Sequence, residues 1–487
     1  MVTSDVATAA GIDTPTGLLI GGQWTAGRAG TLPVIDPATE APIAEIAIGT
    51  VEDAMDAVGA ASAALPGWAA RPPRQRGEIL RRAYEIMMER AEPLARLMVQ
   101  ENGKALPDAR AEITYAAEFF RWYGEEAVRN LGSLSIAPNG TNRIMVQHQP
   151  VGVSLLITPW NFPAAMATRK IGPALAAGCT VVLKPAKETP LTALAVASIL
   201  GEAGVPDGVV NVVSAAKPGP MTEAMMADPR VRKLSFTGST EVGRLLLKTA
   251  ASTIINCSME LGGNAPFLVL EDADVDDAVA GAFLAKMRNG GEACTAANRF
   301  YVHDSVADEF SAKLARRLGA LRVGSGLDEG VELGPLVNAD TRDKVAGLVE
   351  SAASDGGKVV LGGRAPKRPG YFYEATVLDN VPADAGILGQ EIFGPVAPIV
   401  RFSDQAEAIA MANNTEYGLV SYLYSRDLRR ALQAAEALES GMVGINRGVV
   451  SDPAAPFGGV KQSGLGREGA HEGLLEFTET KYIAVDW

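Results

Sequence analysis

Cys294 is the cysteine whose surroundings best suit a nucleophile. It lies in the segment RNGGEACTAANR, where Gly290 and Gly291 loosen the backbone after a helical pattern and the neighbours are too polar for a buried structural thiol. Cys179 opens an apolar strand and Cys257 lies within another, and buried thiols of that kind are usually inert. The pattern therefore favours thiol chemistry at Cys294.

Glu260 is a carboxylate that could act as a general base. It ends a strand in SMELGGNAP, and the two glycines after it permit a sharp turn. This places Glu260 at the carboxyl edge of a sheet, where ligands bind in open α/β folds. A glutamate before two glycines is also often a capping or solvated residue, so this alternative stays open.

The segment TPWNFP (158–163) forms a turn between a strand and a helix. The amide of Asn161 can donate a hydrogen bond to a developing oxyanion, whereas Trp160 is as well explained by packing. In LKPAK, Lys184 and Lys187 follow the next strand and offer cations to a ribose or a phosphate. Each turn thus predicts a ligand contact at the same sheet edge.

The segment FTGSTEVG (236–243) places Gly238 and Ser239 where a strand gives way to a helix. Helix amino termini bind phosphate, although many such turns hold no ligand. By contrast, residues 464–469 satisfy the pattern G-x-G-x-x-G but follow a glycine-rich loop, and only 18 residues come after them. We therefore interpret 464–469 as a carboxyl-terminal loop and reject a dinucleotide fingerprint there.

These residues require a parallel sheet to bring them together. From Val151 onward, short apolar runs alternate with helical patterns, and a second such series begins at Pro266, which is typical of α/β domains. Residues 74–130 are dominated by amphipathic helical patterns. Residues 134–150 contain a turn and a polar strand without an obvious neighbouring partner, as in arms that pair outside their own domain.

Composition limits the classes of protein that fit. The chain has 487 residues, 47% hydrophobic and 21% charged, which predicts two sizeable folded domains. A net charge of −13 argues against binding to nucleic acid or anionic membranes. No apolar run approaches the roughly 20 residues of a membrane span, and residues 1–17 resemble a loose terminus rather than a secretory signal. Three cysteines and three histidines form no metal cluster, and a reducing cytoplasm fits best.

Taken in order, the motifs TPWNFP, LKPA, FTGST, ELGGNAP, GEACTAANR, EIFGP and PFGGVKQSGLGREG resemble the aldehyde dehydrogenase superfamily along essentially the whole chain. The resemblance implies an α/β fold with two parallel-sheet domains and a small oligomerisation hairpin. The implied division is a cofactor-binding domain (1–131 and 152–261), a catalytic domain (262–455) and an oligomerisation arm (132–151 and 470–487). A homodimer or homotetramer is expected.

The resemblance also assigns roles to residues. Cys294 is then the nucleophile, Glu260 the general base and Asn161 an oxyanion donor, and an aldehyde is oxidised through a thioester on Cys294. Such chemistry suits these residue types. The residues expected to contact the cofactor, NADP or NAD, are Thr158, Pro159, Trp160, Asn161, Lys184, Pro185, Ala186, Lys187, Gly238, Ser239, Leu261 and Glu391.

Within the superfamily, the chain is most similar to the succinate-semialdehyde dehydrogenases, through WNFPAAMATRKIGPALAAGC and GINRGVVSD. In that subfamily two arginines and a serine hold the distal carboxylate of the substrate, and the matching positions are Arg169, Arg288 and Ser451. Guanidinium binds carboxylate in a bidentate fork. The alternative is that each arginine pairs with an acidic side chain of the protein. Glutarate semialdehyde, or another ω-carboxy aldehyde, remains an alternative substrate.

Three positions depart from the subfamily pattern. Arg447 stands where a smaller residue is expected, and either adds a cation near the substrate or faces solvent. Ala296 replaces a second cysteine, so we predict no disulfide switch at Cys294. Lys187 replaces a glutamate common in the family, which favours NADP because a cation attracts the 2′-phosphate, while Glu188 keeps NAD possible.

Two functions of other classes compete with this prediction. A thiol esterase would need only Cys294 and Glu260, but the cofactor motifs argue against it. In a catalytically inactive structural relative, Cys294, Glu260 and Asn161 would not be expected to occur together.

Overall fold

The computed structural model describes residues 6–9 and 11–486. Residues 1–5, 10 and 487, which fall in the predicted cofactor-binding domain and arm, lie outside the described residues. The strands are β1 Val6–Ala9, β2 Ile12–Pro15, β3 Leu18–Ile20, β4 Gln23–Thr25, β5 Thr31–Ile35, β6 Pro42–Ala47, β7 Ser133–Ile136, β8 Arg143–Pro150, β9 Val153–Ile157, β10 Thr180–Lys184, β11 Val210–Val212, β12 Val231–Thr237, β13 Asn256–Glu260, β14 Ala265–Val269, β15 Ala297–His303, β16 Lys358–Leu361, β17 Thr376–Asp379, β18 Val396–Phe402, β19 Val420–Tyr424, β20 Met442–Ile445, β21 Gly464–Leu465 and β22 Thr478–Val485. The α-helices are α1 Val51–Ala69, α2 Pro73–Glu89, α3 Ala91–Asn102, α4 Leu106–Glu126, α5 Pro163–Ala177, α6 Pro190–Glu202, α7 Pro218–Ala227, α8 Thr240–Ala250, α9 Val275–Met287, α10 Asp304–Gly319, α11 Ala339–Ser354, α12 Gln405–Asn413, α13 Leu428–Ala437 and α14 Glu472–Leu475.

The first large sheet has the strand order β21-β13-β12-β9-β10-β11-β3-β4. Its five central strands are parallel, and their order reverses between β9 and β12. Strands β9 and β10 are buried at every position because helices cover both faces, which explains their continuous apolar runs. The reversal opens a crevice at the carboxyl ends of β9 and β12, the usual place for a ligand in such a sheet.

The second sheet has the order β16-β17-β18-β15-β14-β19-β20 and is parallel except for the pairing of β16 with β17. Its buried side chains form two hydrophobic clusters, one of which stacks Phe267 against Tyr424. The predicted fold class, α/β with two parallel-sheet units, is therefore confirmed.

A third sheet is antiparallel, with the order β22-β8-β7. The polar strand β8 pairs along its full length with β22 of the same chain, from Thr478 opposite Pro150 to Val485 opposite Arg143. Strand β7 is exposed at all four positions and forms the outer edge. The expectation that this strand has no neighbouring partner is wrong, because β8 also pairs with β7 across the turn between them. Its other partner, β22, lies more than 300 residues away in sequence.

The start of the chain is more ordered than its composition predicts. Residues 6–9 pair with residues 12–15 in an antiparallel hairpin. The expectation of a loose terminus is thus wrong for this part, because the second strand of the hairpin packs against the body of the protein. Thr14 is fully buried there, and Ile12 packs against the hydrophobic core. Within residues 6–9 and 11–486, no helix is long and apolar enough to cross a membrane.

Candidate active site

Cys294 lies on a tight loop directly after α9. The loop begins with the 3₁₀ turn Arg288–Gly291, and Asn289 and Gly290 there adopt left-handed backbone angles. Gly291 has φ +81°, and a Cβ at this position would lie 2.2 Å from the carbonyl oxygen of Gly394. Only glycine fits such a position. The glycines of RNGGEAC therefore fix the backbone path that leads to Cys294. We call residues 288–296 the nucleophile loop.

The thiol of Cys294 is half-buried. Burial raises its pKa to about 12, while the positive charges of Arg169 and Arg288 act in the opposite direction. The resting group is therefore a neutral thiol, which requires a base before it can attack a carbonyl.

Glu260 ends β13 and is 3% exposed. Burial, followed by the charge of Glu468, raises the pKa of Glu260 well above its ordinary value, and Arg169 and Lys170 oppose the rise. Its Oε2 atom has no hydrogen-bond partner in the structure, and its Oε1 atom lies against Gly458, where a Cβ would approach it to 2.9 Å. A buried carboxyl with raised pKa and a free oxygen is suited to accept a proton from water.

The turn after β9 holds Asn161, whose side chain is buried. Its Nδ2 donates to the carbonyl oxygen of Glu292 in the nucleophile loop at 3.1 Å. Its own carbonyl oxygen accepts hydrogen bonds from Lys104 Nζ at 2.8 Å and Asn289 Nδ2 at 2.9 Å. Asn161 is thus fixed against the loop that carries Cys294, and its second amide N–H is available to an oxyanion.

Glycine also permits the approach of Cys294 to the turn that follows Glu260. A Cβ on Gly263 would lie 2.3 Å from the carbonyl oxygen of Cys294. The structure therefore bonds Asn161 directly to the nucleophile loop. Glu260 is connected to the loop through the turn that begins directly after it, and its charge acts on the thiol of Cys294.

A cavity of about 230 Å³ lies beside Cys294. It adjoins a cleft of about 620 Å³ over the crevice between β9 and β12. The cavity is lined by Asn161, Leu261 and Glu391, and the cleft by Thr158, Lys184, Ala186 and Lys187, while Pro159, Trp160, Gly238 and Ser239 line both. Pro185 lines neither, and its carbonyl oxygen accepts a hydrogen bond from Lys184 Nζ at 2.8 Å.

The cleft has features of a phosphate-binding site. Helix α8 begins there, and Ser239 caps it by accepting a hydrogen bond from Val242 N–H at 3.4 Å. Lys184 is buried at the sheet edge, and burial lowers its pKa to about 8. The side chain of Lys187 is 56% exposed, with its Nζ 3.9 Å from Glu188. A helix amino terminus and two ammonium groups are complementary to the phosphates of a dinucleotide.

Glu391, which lines the cavity beside Cys294, is held in place by its backbone and its side chain. Its Oε1 accepts a hydrogen bond from Gly263 N–H at 3.0 Å, and its carbonyl oxygen accepts one from Lys344 Nζ at 2.7 Å. A Cβ on Gly262 would lie 3.1 Å from its Oε2. Burial raises the pKa of Glu391 to about 7. This space, kept open by glycine, fits a ribose hydroxyl next to the carboxylate.

Arg288 and Ser451 contact each other as expected of a substrate site. Arg288 Nη1 donates to Ser451 Oγ at 3.1 Å, and the guanidinium lies 4.9 Å from the ring centre of Phe162 and 5.7 Å from that of Tyr115. In the described part of the chain, no carboxylate lies within salt-bridge distance of Arg288, so its charge is available to an anion.

Unlike Arg288, Arg169 has a carboxylate of the protein as its partner. Its guanidinium is 1% exposed and forms an ion pair with Glu468, which also pairs with Lys170. The alternative left open by the sequence, pairing with an acidic side chain of the protein, is therefore observed for Arg169, and its contact with a substrate stays a prediction. The aliphatic and aromatic neighbours of Arg169, among them Phe457 at 4.3 Å, made a buried counter-ion necessary.

The structure shows the surroundings of two positions that depart from the subfamily pattern. Arg447 is exposed, and its Nε donates to the carbonyl oxygen of Val449 on its own loop. Ala296, the last residue of the nucleophile loop, is buried. All three cysteines are free, and Cys179 donates to the carbonyl oxygen of Phe477. No group of His, Cys, Asp or Glu in residues 6–9 and 11–486 could hold a metal ion.

Several residues of the site escaped the sequence-based prediction. Glu468 lies inside the glycine-rich segment 464–469, whose first two residues form β21 and pair with β13. The ion pair of Lys104 with Glu112 lies under Asn161, and Glu112 also accepts from the first N–H groups of α5. Nothing in their local sequence distinguishes these residues from surface charges. Further residues that were not predicted are Pro218, Thr222, Glu223 and Leu245 in the cleft, and Thr341 and Phe393 in the cavity.

Comparison with known proteins identifies the family of the chain. The sequence profile of the aldehyde dehydrogenase family matches residues 24–483. A succinate-semialdehyde dehydrogenase of Paenarthrobacter nicotinovorans is 56% identical over 443 residues, which are 91% of this chain and 98% of that protein. A glutarate-semialdehyde dehydrogenase of Pseudomonas putida is 49% identical over 468 residues, which are 96% of this chain and 97% of that protein. The crystal structure of an NADP-dependent enzyme from E. coli matches with a TM-score of 0.96 at 47% identity, covering 97% of this chain and 98% of that one.

Proposed function

Because the chain belongs to the aldehyde dehydrogenase family, we propose that it oxidises succinate semialdehyde to succinate with NADP, and less efficiently with NAD. The relatives named for succinate and glutarate semialdehyde support a substrate with a distal carboxylate. The observation that carries the proposal is the unpaired charge of Arg288, hydrogen-bonded to Ser451.

In this proposal the catalytic residues act in sequence on the aldehyde. The thiol of Cys294 gives its proton to solvent, and the resulting thiolate attacks the carbonyl carbon. The free N–H of Asn161 Nδ2 stabilises the oxyanion that forms. The bound nicotinamide supplies the acceptor for the hydride. Glu260 then takes a proton from the water that hydrolyses the thioester on Cys294, for which its raised pKa is suited.

The cleft over β9 and β12 supports the proposed cofactor site. Residues 1–131 and 152–261 form the cofactor-binding domain and residues 262–455 the catalytic domain in this proposal. Lys184 and the amino terminus of α8 would hold ribose and phosphate groups of the cofactor, Lys187 would attract the 2′-phosphate, and Glu391 would bond a ribose hydroxyl.

The distal carboxylate is assigned first to Arg288 and Ser451. Arg169 has a secondary role, because its Nε is engaged by Glu468 while its Nη2 donates to the sulfur of Met166 at 3.5 Å, a weak acceptor that an anion could replace. Measuring absorbance at 340 nm with succinate semialdehyde, glutarate semialdehyde and propanal tests this assignment. Replacing Arg288 with Ala should raise KM for the semialdehydes about 10- to 100-fold and leave propanal nearly unchanged, as expected for one charge-assisted contact. Equal losses on all three substrates would remove the carboxylate site.

The arm of residues 132–151 and 470–487 supports an oligomer, either a homodimer or a homotetramer. Strand β7 presents unpaired backbone groups and the exposed side chains of Leu134 and Ile136, a surface that natural proteins usually cover. Light scattering on the intact protein tests this, and a monomer at micromolar concentration would contradict it. The free thiols are compatible with a reducing cytoplasm, which cell fractionation tests.

A further inference from the structure

Glu292, two residues before Cys294, is buried and has none of the roles assigned above. Its main-chain carbonyl accepts hydrogen bonds from Asn161 Nδ2 at 3.1 Å and Asn289 Nδ2 at 2.9 Å. Its main-chain N–H donates to the carbonyl oxygen of Asn289 at 3.0 Å. The backbone of Glu292 therefore orients the amide of Asn161 and closes the turn that presents the thiol.

The side chain of Glu292 attaches this backbone to another part of the chain. Its Oε1 accepts a hydrogen bond from Val337 N–H at 3.1 Å. Val337 precedes Asn338, which caps the start of α11, and α11 carries Lys344, the residue that bonds the backbone of Glu391. One buried carboxyl thus connects the nucleophile loop to the helix that supports the cofactor side of the cavity.

The ionisation of Glu292 suits a structural hydrogen bond. Burial raises its pKa to about 8, and the positive charge of Lys104 only partly opposes the rise. At neutral pH the group is mostly a neutral acid. A glutamine has the same shape and keeps the oxygen that accepts from Val337, so it should replace the acid well, whereas alanine removes the contact.

We propose that Glu292 is a positioning residue, whose side chain holds the nucleophile loop against residues 335–338 and so fixes Cys294 and Asn161 in their reactive arrangement. The inference rests on the proposed role of Cys294 and Asn161. Geometry of this kind matters because displacing a reacting group by about 1 Å can cost about a hundredfold in rate.

The experiment compares Glu292→Ala and Glu292→Gln with a matched control, Glu101→Ala. Glu101 is equally buried, its pKa is also raised, and its hydrogen bonds go to the N–H groups of Leu191 and Thr192 at the start of α6. For each variant we would measure kcat and KM for both substrates, the alkylation rate of Cys294 by iodoacetamide in cofactor-free enzyme, and unfolding by urea.

Glu292→Ala should lower kcat and the alkylation rate by about ten- to a hundredfold with KM values changed less than about threefold, and Glu292→Gln should recover both to within about threefold. Glu101→Ala should destabilise the fold but leave the alkylation rate near that of the wild type. The proposal is overturned if Glu292→Ala keeps its alkylation rate, if Glu292→Gln is as impaired as Glu292→Ala, or if Glu101→Ala slows alkylation equally. Alkylation needs no aldehyde, so it decides the positioning role even if succinate semialdehyde proves not to be the substrate.

Discussion

Replacing Glu468 with Gln should destabilise the protein far more than a charge change at its surface. The carboxylate of Glu468 is the shared counter-ion of Arg169 and Lys170, and both cations are 1% exposed. The variant leaves two buried positive charges without a partner. Removing one member of a buried ion pair costs about 3–5 kcal/mol, so we expect a loss of this size in the free energy of unfolding.

The pair Arg244–Glu416 provides the control for this prediction. Its atoms approach to 2.7 Å, but the two side chains are 52% and 43% exposed. Solvent screens such a pair, so Glu416→Gln should cost less than about 1 kcal/mol. Urea unfolding monitored by tryptophan fluorescence, at one fixed protein concentration, measures both variants.

The pH dependence gives the prediction a second, independent readout. Burial raises the pKa of Glu468, but the ion pairs with Arg169 and Lys170 outweigh it, and the net shift is downward. A carboxyl whose pKa is lower in the folded state stabilises the fold above its unfolded pKa, and this contribution is lost as the pH falls through the folded pKa. The difference between wild type and Glu468→Gln should therefore be full at pH 7 and shrink under acid conditions.

The same variant should alter Glu260. The charge of Glu468 is one cause of the raised pKa of Glu260, and Arg169 and Lys170 lower it. Without Glu468 the pKa of Glu260 should fall. In a plot of kcat against pH, the rise on the acid side should therefore move to lower pH. A Glu468→Gln variant no less stable than Glu416→Gln, or a rise moved to higher pH, would refute this reasoning.

Three further predictions concern the proposed chemistry. Asn161→Ala should lower kcat about 10²–10³-fold with little change in KM, as for other oxyanion donors, and an effect limited to KM would argue against the assignment. Lys187→Glu should lower kcat/KM for NADP about tenfold or more relative to NAD, by loss of a charge-assisted contact with the 2′-phosphate, and an unchanged ratio would exclude Lys187 from phosphate binding. Peroxide should inactivate the enzyme without an intramolecular disulfide at Cys294, because position 296 is Ala, and peptide mapping that finds such a disulfide contradicts us.

The parallel sheets could be predicted because their strands are short, apolar and separated by helical patterns. Some elements have weak signals in the sequence for identifiable reasons. Helix α7 begins with Pro218-Gly219-Pro220, which is typical of a turn. Strand β18 contains Pro398, which disfavours a strand interior, and yet it lies between β17 and β15 in the second sheet. Strand β17 has only four residues between loops.

The site could be predicted where a local motif carries the chemistry, as for Cys294 and Glu260. It could not be predicted where function depends on contacts between distant residues. Glu468 and Lys170 are separated by 298 residues, and only the folded chain shows that the carboxylate neutralises two cations. The same holds for Arg169, whose sequence context is compatible with a substrate anion and with an internal counter-ion.

The most direct test of the account is to trap the acyl group on Cys294. In the Glu260→Gln variant, the first turnover with NADP and succinate semialdehyde should release reduced cofactor and then stop, because the thioester lacks its base. Mass spectrometry of the quenched protein should find a succinyl group on the peptide that contains Cys294. Steady turnover without an adduct, or an adduct on a different residue, would contradict the proposed mechanism.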